Sequence, residues 1–221
     1  MELHDVTIGY RGKVVAKGLT ATLRKGELTC LIGRNGTGKS TLMRTMAALQ
    51  KPLGGTVTID GKDIATMTAR QRARLIGIVT TERVEVQNMT VWDMVAMGRS
   101  PYTGFFGRLS EQDKEIIETS LRMMHMETFS QRSINSLSDG ERQKVMIAKT
   151  LAQQTPVVFL DEPTAFLDYP SKIETMQTLQ ALCHDSGIAM LLSTHDLDIA
   201  LKHCDNVWTI SEETLQVKIK N

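Results

Sequence analysis

Gly33-Arg34-Asn35-Gly36-Thr37-Gly38-Lys39-Ser40 constrains this chain more than any other eight residues. It follows the apolar run Leu28-Thr29-Cys30-Leu31-Ile32 and precedes Thr41-Leu42-Met43-Arg44-Thr45-Met46-Ala47, which reads as a helix. Glycine, any four residues, glycine, lysine and serine or threonine is the spacing of a phosphate-cradling loop. Without side chains at the glycines, backbone N–H groups turn inward onto an anion. Lys39 adds a point charge, the Ser40 hydroxyl can ligate Mg²⁺, and Thr41 opens a helix whose positive end faces the same anion. A chance match is expected about once in a hundred chains of this length, and the flanking strand and helix lower that further. The segment therefore implies an α/β core that holds a nucleoside triphosphate.

Composition bounds the rest. The 221 residues suffice for one domain with an inserted subdomain, and 26 basic against 25 acidic residues leave a formal net charge of +1. No basic excess points to nucleic acid. Apolar stretches such as Val157-Val158-Phe159-Leu160 and Ile188-Ala189-Met190-Leu191-Leu192 fall far short of the ~20 residues that cross a bilayer. The start, Met1-Glu2-Leu3-His4-Asp5, lacks a signal peptide's basic and apolar regions, so the protein is expected in the cytoplasm. Cys30, Cys183 and Cys204 form no even framework and are expected as reduced thiols in a reducing compartment. Neither Cys183-His184 nor His203-Cys204 has metal-ligand spacing.

Strands are expected over residues 3–10, 19–23, 27–32, 56–60 and 75–79, with Thr68-Ala69-Arg70-Gln71 opening a short helix to Arg74. The pattern then turns helical. One helix is expected from Thr90 to Met97; another starts at Ser110-Glu111-Gln112-Asp113 with a stripe of Ile116, Ile117, Leu121, Met124 and His125. Methionines 123, 124 and 126 read as core filler. Strands 157–161, 188–193 and 206–210 then alternate with helices 172–186 and 196–203, so a parallel sheet covered on both faces is expected. This divides the chain into an α/β core, 1–85 and 150–221, and a helical insert, 86–149.

Val157 to Leu160 leads into Asp161-Glu162. Ligands gather at the carboxyl ends of parallel strands, so both carboxylates should emerge beside the phosphate loop. Asp161 suits Mg²⁺ through water, and Glu162 suits polarising an attacking water. His195 ends the next apolar strand and should reach the terminal phosphate. Leu137-Ser138-Asp139-Gly140-Glu141-Arg142-Gln143 is a capping box, with Ser138 and Glu141 reciprocally placed, and equally an anion-binding helix start.

That segment resembles the Leu-Ser-Gly-Gly-Gln signature of the ATP-binding-cassette (ABC) ATPases, with Asp139 and Glu141 as departures. The resemblance covers the whole chain in order: Tyr10, the phosphate loop, the signature, Asp161-Glu162, Ala165-Phe166-Leu167-Asp168 and His195. It implies a P-loop NTPase (RecA-like) core with a mainly parallel sheet, an N-terminal antiparallel β part and an inserted helical subdomain. By the same resemblance Tyr10 stacks on adenine, and Lys39, Glu162 and His195 serve catalysis. Gly33, Arg34, Asn35, Gly36, Thr37, Gly38, Lys39, Ser40 and Thr41 hold ATP, and Ser40 and Asp161 hold Mg²⁺. Two copies would assemble head to tail, each ATP lying between one copy's loop and the other's Ser138 and Gly140, with Asp168 communicating across the interface. The family's glutamine sensor falls here on Thr81 or Glu82, and the chain ends near Lys218-Ile219-Lys220-Asn221, where many relatives continue.

Thr90 to Tyr102, followed by Phe106-Gly107-Arg108-Leu109-Ser110, looks like the ATPases that drive uptake of iron chelates, haem and cobalamin. The implied partners are integral-membrane permease subunits, gripped in a groove that this segment helps form, and an extracytoplasmic substrate-binding protein. The implied location is the inner face of the cell membrane. Two other classes stay open: a non-transport ABC ATPase acting on nucleic acid or ribosomes, and a small-molecule phosphotransferase. The near-neutral charge and single cassette count against the first, and the signature helix against the second.

Overall fold

The computed structural model describes residues 1–10, 12–81, 86, 88–104, 107–211 and 214–219. Its elements run β1 (Glu2–Tyr10), β2 (Lys13–Thr22), β3 (Leu28–Ile32), α1 (Lys39–Met46), β4 (Gly54–Ile59), β5 (Lys62–Asp63), α2 (Ala69–Ala73) and β6 (Ile76–Val79). Then come α3 (Val91–Ala96), α4 (Glu111–Met123), α5 (Asp139–Ala152), β7 (Val157–Leu160) and α6 (Tyr169–Ser186). The chain finishes with β8 (Ala189–Ser193), α7 (Leu197–His203), β9 (Asn206–Ser211) and β10 (Thr214–Ile219).

Two sheets organise these elements. One has the order β2-β1-β4-β5 and is antiparallel; the other has the order β10-β9-β3-β8-β7-β6, parallel from β9 to β6 with β10 turned back on its edge. The central strands are apolar on both faces because each face meets a different core. Leu28 and Cys30 of β3, Val158 and Leu160 of β7, and Met190 and Leu192 of β8 pack with α3 to α6. Leu31, Val157, Phe159, Ala189 and Leu191 pack instead with α1 and the antiparallel sheet. Period-two alternation is thus present in side-chain direction although hidden in residue type.

Local capping signals set most helix starts. Thr68, Thr90, Ser110 and Ser138 each cap a helix with the residue three positions on returning the bond. Asp168 caps α6, which therefore begins three residues before the expected Lys172, with Pro170 in its first turn.

Three expectations change. β2 starts at Lys13, not Leu19: Lys13, Val14 and Ala16 pair with β1 in a strand whose register shifts, with Gly18 at φ +67° inside it. His125 and Met123 are exposed: His125, at φ +55°, lies past the end of α4, and Met123, its last residue, faces solvent, so neither joins the buried set that Met124 and Met126 complete. The reduced-thiol expectation also fails. Cys30 and Cys204 form a disulfide, 174 residues apart in sequence: β9 is a parallel neighbour of β3, and the end of α7 that leads into β9 brings Cys204 to a Cα–Cα distance of 6.0 Å from Cys30. Cys183 is free and buried, its thiol pushed up to about 12 by desolvation and then by Asp205. Thiol titration of chain unfolded in denaturant is accordingly expected to give one reactive thiol without reductant and three after reduction; three in both states would contradict the bridge.

Candidate functional site

β3 feeds the phosphate loop, β8 is its parallel neighbour and β7 lies one strand further, so residues 33–41, 161–162 and 194–195 emerge at the same edge of the sheet. Close packing demands the glycines. A Cβ on Gly33 would lie 2.7 Å from the Ile210 carbonyl oxygen, and one on Gly38, at φ +104°, would lie 2.5 Å from Val15 Cγ1. Gly38 then stands immediately before α1, whose first N–H groups have no partner within the helix. Lys39 is buried, and its Nζ donates to the carbonyls of Gly33 at 2.8 Å and Arg34 at 3.2 Å. One of its three protons remains for a phosphate oxygen. Arg34, Asn35, Gly36 and Ser40 are exposed along the loop; Thr37 closes it by donating to the Arg34 carbonyl.

The two carboxylates differ sharply. Asp161 is buried and its Oδ1 accepts from Ser193 Oγ at 2.6 Å; the same hydroxyl accepts from the Glu162 N–H at 2.9 Å. Glu162 has φ +49°, a left-handed conformation that turns its side chain away from the line of β7. Its Oε1 lies 3.7 Å from His195 Nδ1. Ser193 is a residue of this site that motif reading missed: it ties the ends of β7 and β8 together, holding the Asp161 carboxylate and the Glu162 backbone N–H through one hydroxyl. Its signal in sequence is only its place two residues before His195.

Tyr10 ends β1 half-exposed, with its hydroxyl 2.8 Å from Thr41 Oγ1, in a groove of about 540 Å³ shared with Arg44, Gln50 and Leu53. The aromatic ring is therefore attached to the first turn of α1.

Ser138, Gly140 and Asp168 sit elsewhere. They line a second groove of about 540 Å³ with Glu141, Lys144, Phe166 and Ser171, and none of the phosphate-loop residues forms its walls. Ser138 Oγ and N–H both bond Glu141 Oε2 at 2.8 Å, which holds that carboxyl below its ordinary range. Asp168 Oδ1 accepts from the Ser171 N–H at 2.9 Å, and its carboxyl is likewise lowered, chiefly by Ser171. A Cβ on Gly140 would lie 3.1 Å from the Phe166 carbonyl oxygen, so the signature turn rests on the segment that carries Asp168. Of the two sensor candidates, Thr81 is exposed and Glu82 lies outside the described residues.

Comparison with known proteins decides the family, since the profile described as ABC transporter matches residues 16–165. The chain belongs to the ABC transporter family. An uncharacterized ABC transporter ATP-binding protein of Methanocaldococcus jannaschii is 42% identical over 94% of this chain and 71% of its own length. The iron(3+)-hydroxamate import ATP-binding protein of Bacillus subtilis is 37% identical over 91% of this chain and 75% of its own. Among solved structures, the dimeric form of a bacterial ABC transporter cassette superposes with a TM-score of 0.87 at 25% identity, over 99% of this chain and 97% of that one.

As an ABC ATPase, the chain uses ATP as its substrate. The described residues contain no cluster of three or more His, Cys, Asp or Glu side chains able to cage a metal. They suit Mg²⁺ in the manner of nucleotide sites, where one hydroxyl and one carboxylate complement the phosphate oxygens. Ser193 leaves Asp161 Oδ2 without a hydrogen bond among the described residues, so that oxygen is available. No helix in the described residues is long and apolar enough to cross a membrane.

Ser193→Ala removes a buried hydrogen bond to the Asp161 carboxylate and a part-buried one from the Glu162 backbone N–H. It is expected to lower stability by about 1–3 kcal/mol and the ATPase turnover by about tenfold or more, with nucleotide affinity retained. Denaturant titration and steady-state kinetics check it; unchanged turnover would remove Ser193 from the positioning of this site.

Proposed function

We propose that this chain is the ATP-binding subunit of an importer and hydrolyses ATP in a head-to-tail dimer of two copies to drive uptake of an iron-siderophore, haem or cobalamin. One observation carries the dimer: the anion-binding start of α5 and the phosphate loop occupy separate surfaces of a single chain. Each is half of a site. The dimeric cassette that superposes on this chain supports the assembly, and the hydroxamate importer subunit supports the substrate class.

In this reading the loop from Gly33 to Thr41 and Lys39 hold the phosphates, and Tyr10 lies against adenine. The partner copy's α5 start, with Ser138 and Gly140, closes over the terminal phosphate, and Asp168 beside it senses closure. Mg²⁺, held by Ser40 and by Asp161 through water, would neutralise phosphate charge. Glu162 accepts a proton from the attacking water as oxygen bonds to the terminal phosphorus and the bond to ADP breaks. His195, beside Glu162, orients the terminal phosphate. Lys39 and His195 thus serve positions where negative charge gathers.

Closure of the dimer would move integral-membrane permease subunits, and an extracytoplasmic binding protein would deliver cargo. The groove of about 320 Å³ between Trp92, Glu118, Arg122, Glu127 and Gln131 would take a permease helix from the inner face of the membrane. Val91, Met94, Val95 and Arg99 of the same segment are buried, so only part of it is offered to a partner.

Lys39→Ala is expected to weaken nucleotide binding by about 10- to 100-fold, the value of a charge-assisted hydrogen bond or two. Glu162→Gln should keep ATP binding, lower turnover by about 10²- to 10⁴-fold and accumulate an ATP-bound dimer on size exclusion. Normal turnover in Glu162→Gln would refute its role as base.

A further inference from the structure

The C-terminal end of α5 is gripped by a set of side chains that the ATPase site does not contain. Gly98 lets the backbone after α3 press onto that end: a Cβ there would lie 2.2 Å from the Lys149 carbonyl oxygen. Arg99 follows, 5% exposed, and bridges two helices. Its Nε donates to Asp113 Oδ1 at 2.8 Å, and one terminal nitrogen donates to the Ala152 carbonyl at 2.8 Å and Gln154 Oε1 at 3.1 Å. Asp113 is fully used, since its Oδ2 caps α4 through Ser110.

Tyr102 completes the grip. Its ring lies 4.2 Å from the Arg99 guanidinium and 5.3 Å from that of Arg74, and its hydroxyl donates to the Gln153 carbonyl at 2.9 Å. The adjoining Pro101 carbonyl accepts from Arg70 and Arg74 at 3.1 Å each, and Gln153 Nε2 donates to the carbonyls of Ala73 at 2.6 Å and Ile76 at 3.0 Å. Thus α2 and β6 of the core, the segment after α3, and the end of α5 meet at one joint. The last carbonyls of a helix lack intrahelical partners and carry its negative pole; here a guanidinium and a phenol satisfy two of them.

Ser138 lies at the other end of the same helix. Fourteen residues separate the joint from the anion-binding turn, about 21 Å of helix, so a rotation of only about 5° at the joint moves Ser138 by about 2 Å. Displacements of about 1 Å at a reacting centre cost about a hundredfold in rate.

We propose that Arg99, with Tyr102, is the pivot that sets the angle of α5, making Arg99 a positioning residue for ATP hydrolysis on the second copy. This rests on the head-to-tail reading above. Neither residue touches nucleotide; both act through the direction in which α5 presents Ser138 and Gly140.

The test uses Arg99→Ala, Arg99→Lys and Tyr102→Phe in the full chain. For Arg99→Ala, turnover should fall about tenfold or more, and the protein concentration needed for half-maximal ATP-dependent dimerisation in a Glu162→Gln background should rise by a similar factor. Affinity of the isolated subunit for a fluorescent ATP analogue should stay within about twofold, because the phosphate loop is untouched. Arg99→Lys should recover part of the loss, and Tyr102→Phe, which removes one hydroxyl and folds even if Arg99→Ala does not, should show about a threefold version of the defect. A purely structural brace would lower the thermal midpoint while leaving turnover and the dimerisation midpoint of the folded protein unchanged; that result in Tyr102→Phe and either Arg99 variant overturns the pivot. If the unsubstituted chain's specific activity does not rise with subunit concentration, head-to-tail assembly fails and the pivot falls with it. Concentration-dependent hydrolysis insensitive to Arg99 overturns the pivot alone.

Discussion

Parallel pairing of β3 with β8, and of β8 with β7, is the constraint on which the rest depends. Each strand enters the sheet with its carboxyl end on the same edge, so three segments distant in sequence deliver their chemistry to one place. The phosphate loop arrives on β3, the carboxylates on β7, and His195 on β8. Burial makes the arrangement stiff: the strands are apolar on both faces and each face is covered by its own core. Ser193 adds the finest adjustment, because a single buried hydroxyl orders Asp161 and the Glu162 N–H together. The Cys30–Cys204 bridge lies on the other flank of β3, where β9 is its parallel neighbour.

The helical elements solve a different problem. In the proposed dimer one end of α5 meets phosphate and the other is held, and its sequence divides accordingly. Ser138 and Glu141 cap the positive end, while the carbonyls of Ala152 and Gln153 at the negative end are taken by Arg99 and Tyr102. The same capping bond that starts the helix keeps its first turn on the surface that Asp168 shares. Local stability and the presentation of an anion site are here two consequences of one set of hydrogen bonds.

What the sequence disclosed was whatever chemistry is local. The phosphate loop, the Asp161-Glu162 strand end and the Ser138 capping box are written in consecutive residues, and apolar runs of four or five identify buried strands. Contacts between distant residues stayed hidden. Arg99 meets Asp113 and Ala152, Ser193 meets Asp161, and Cys30 meets Cys204 only after the topology is known. A composition rule about odd cysteine counts could not anticipate the last pairing, because it ignores which strands are neighbours. The first half of β2 stayed hidden for a similar reason: Lys13, Val14 and Ala16 are held in the strand by their pairing with β1.

The central claim is that each ATP site is built from two chains, and complementation between inactive subunits tests it most directly. Lys39→Ala lacks a working phosphate loop but retains its α5; Ser138→Arg lacks a working α5 start but retains its loop. Each alone should hydrolyse ATP at a background rate. Mixed in equal amounts, half the dimers would pair one of each and hold one intact site of two, so activity should return to about a quarter of the unsubstituted rate. A mixture that stays at background would place both residues in the site of a single chain and contradict the account.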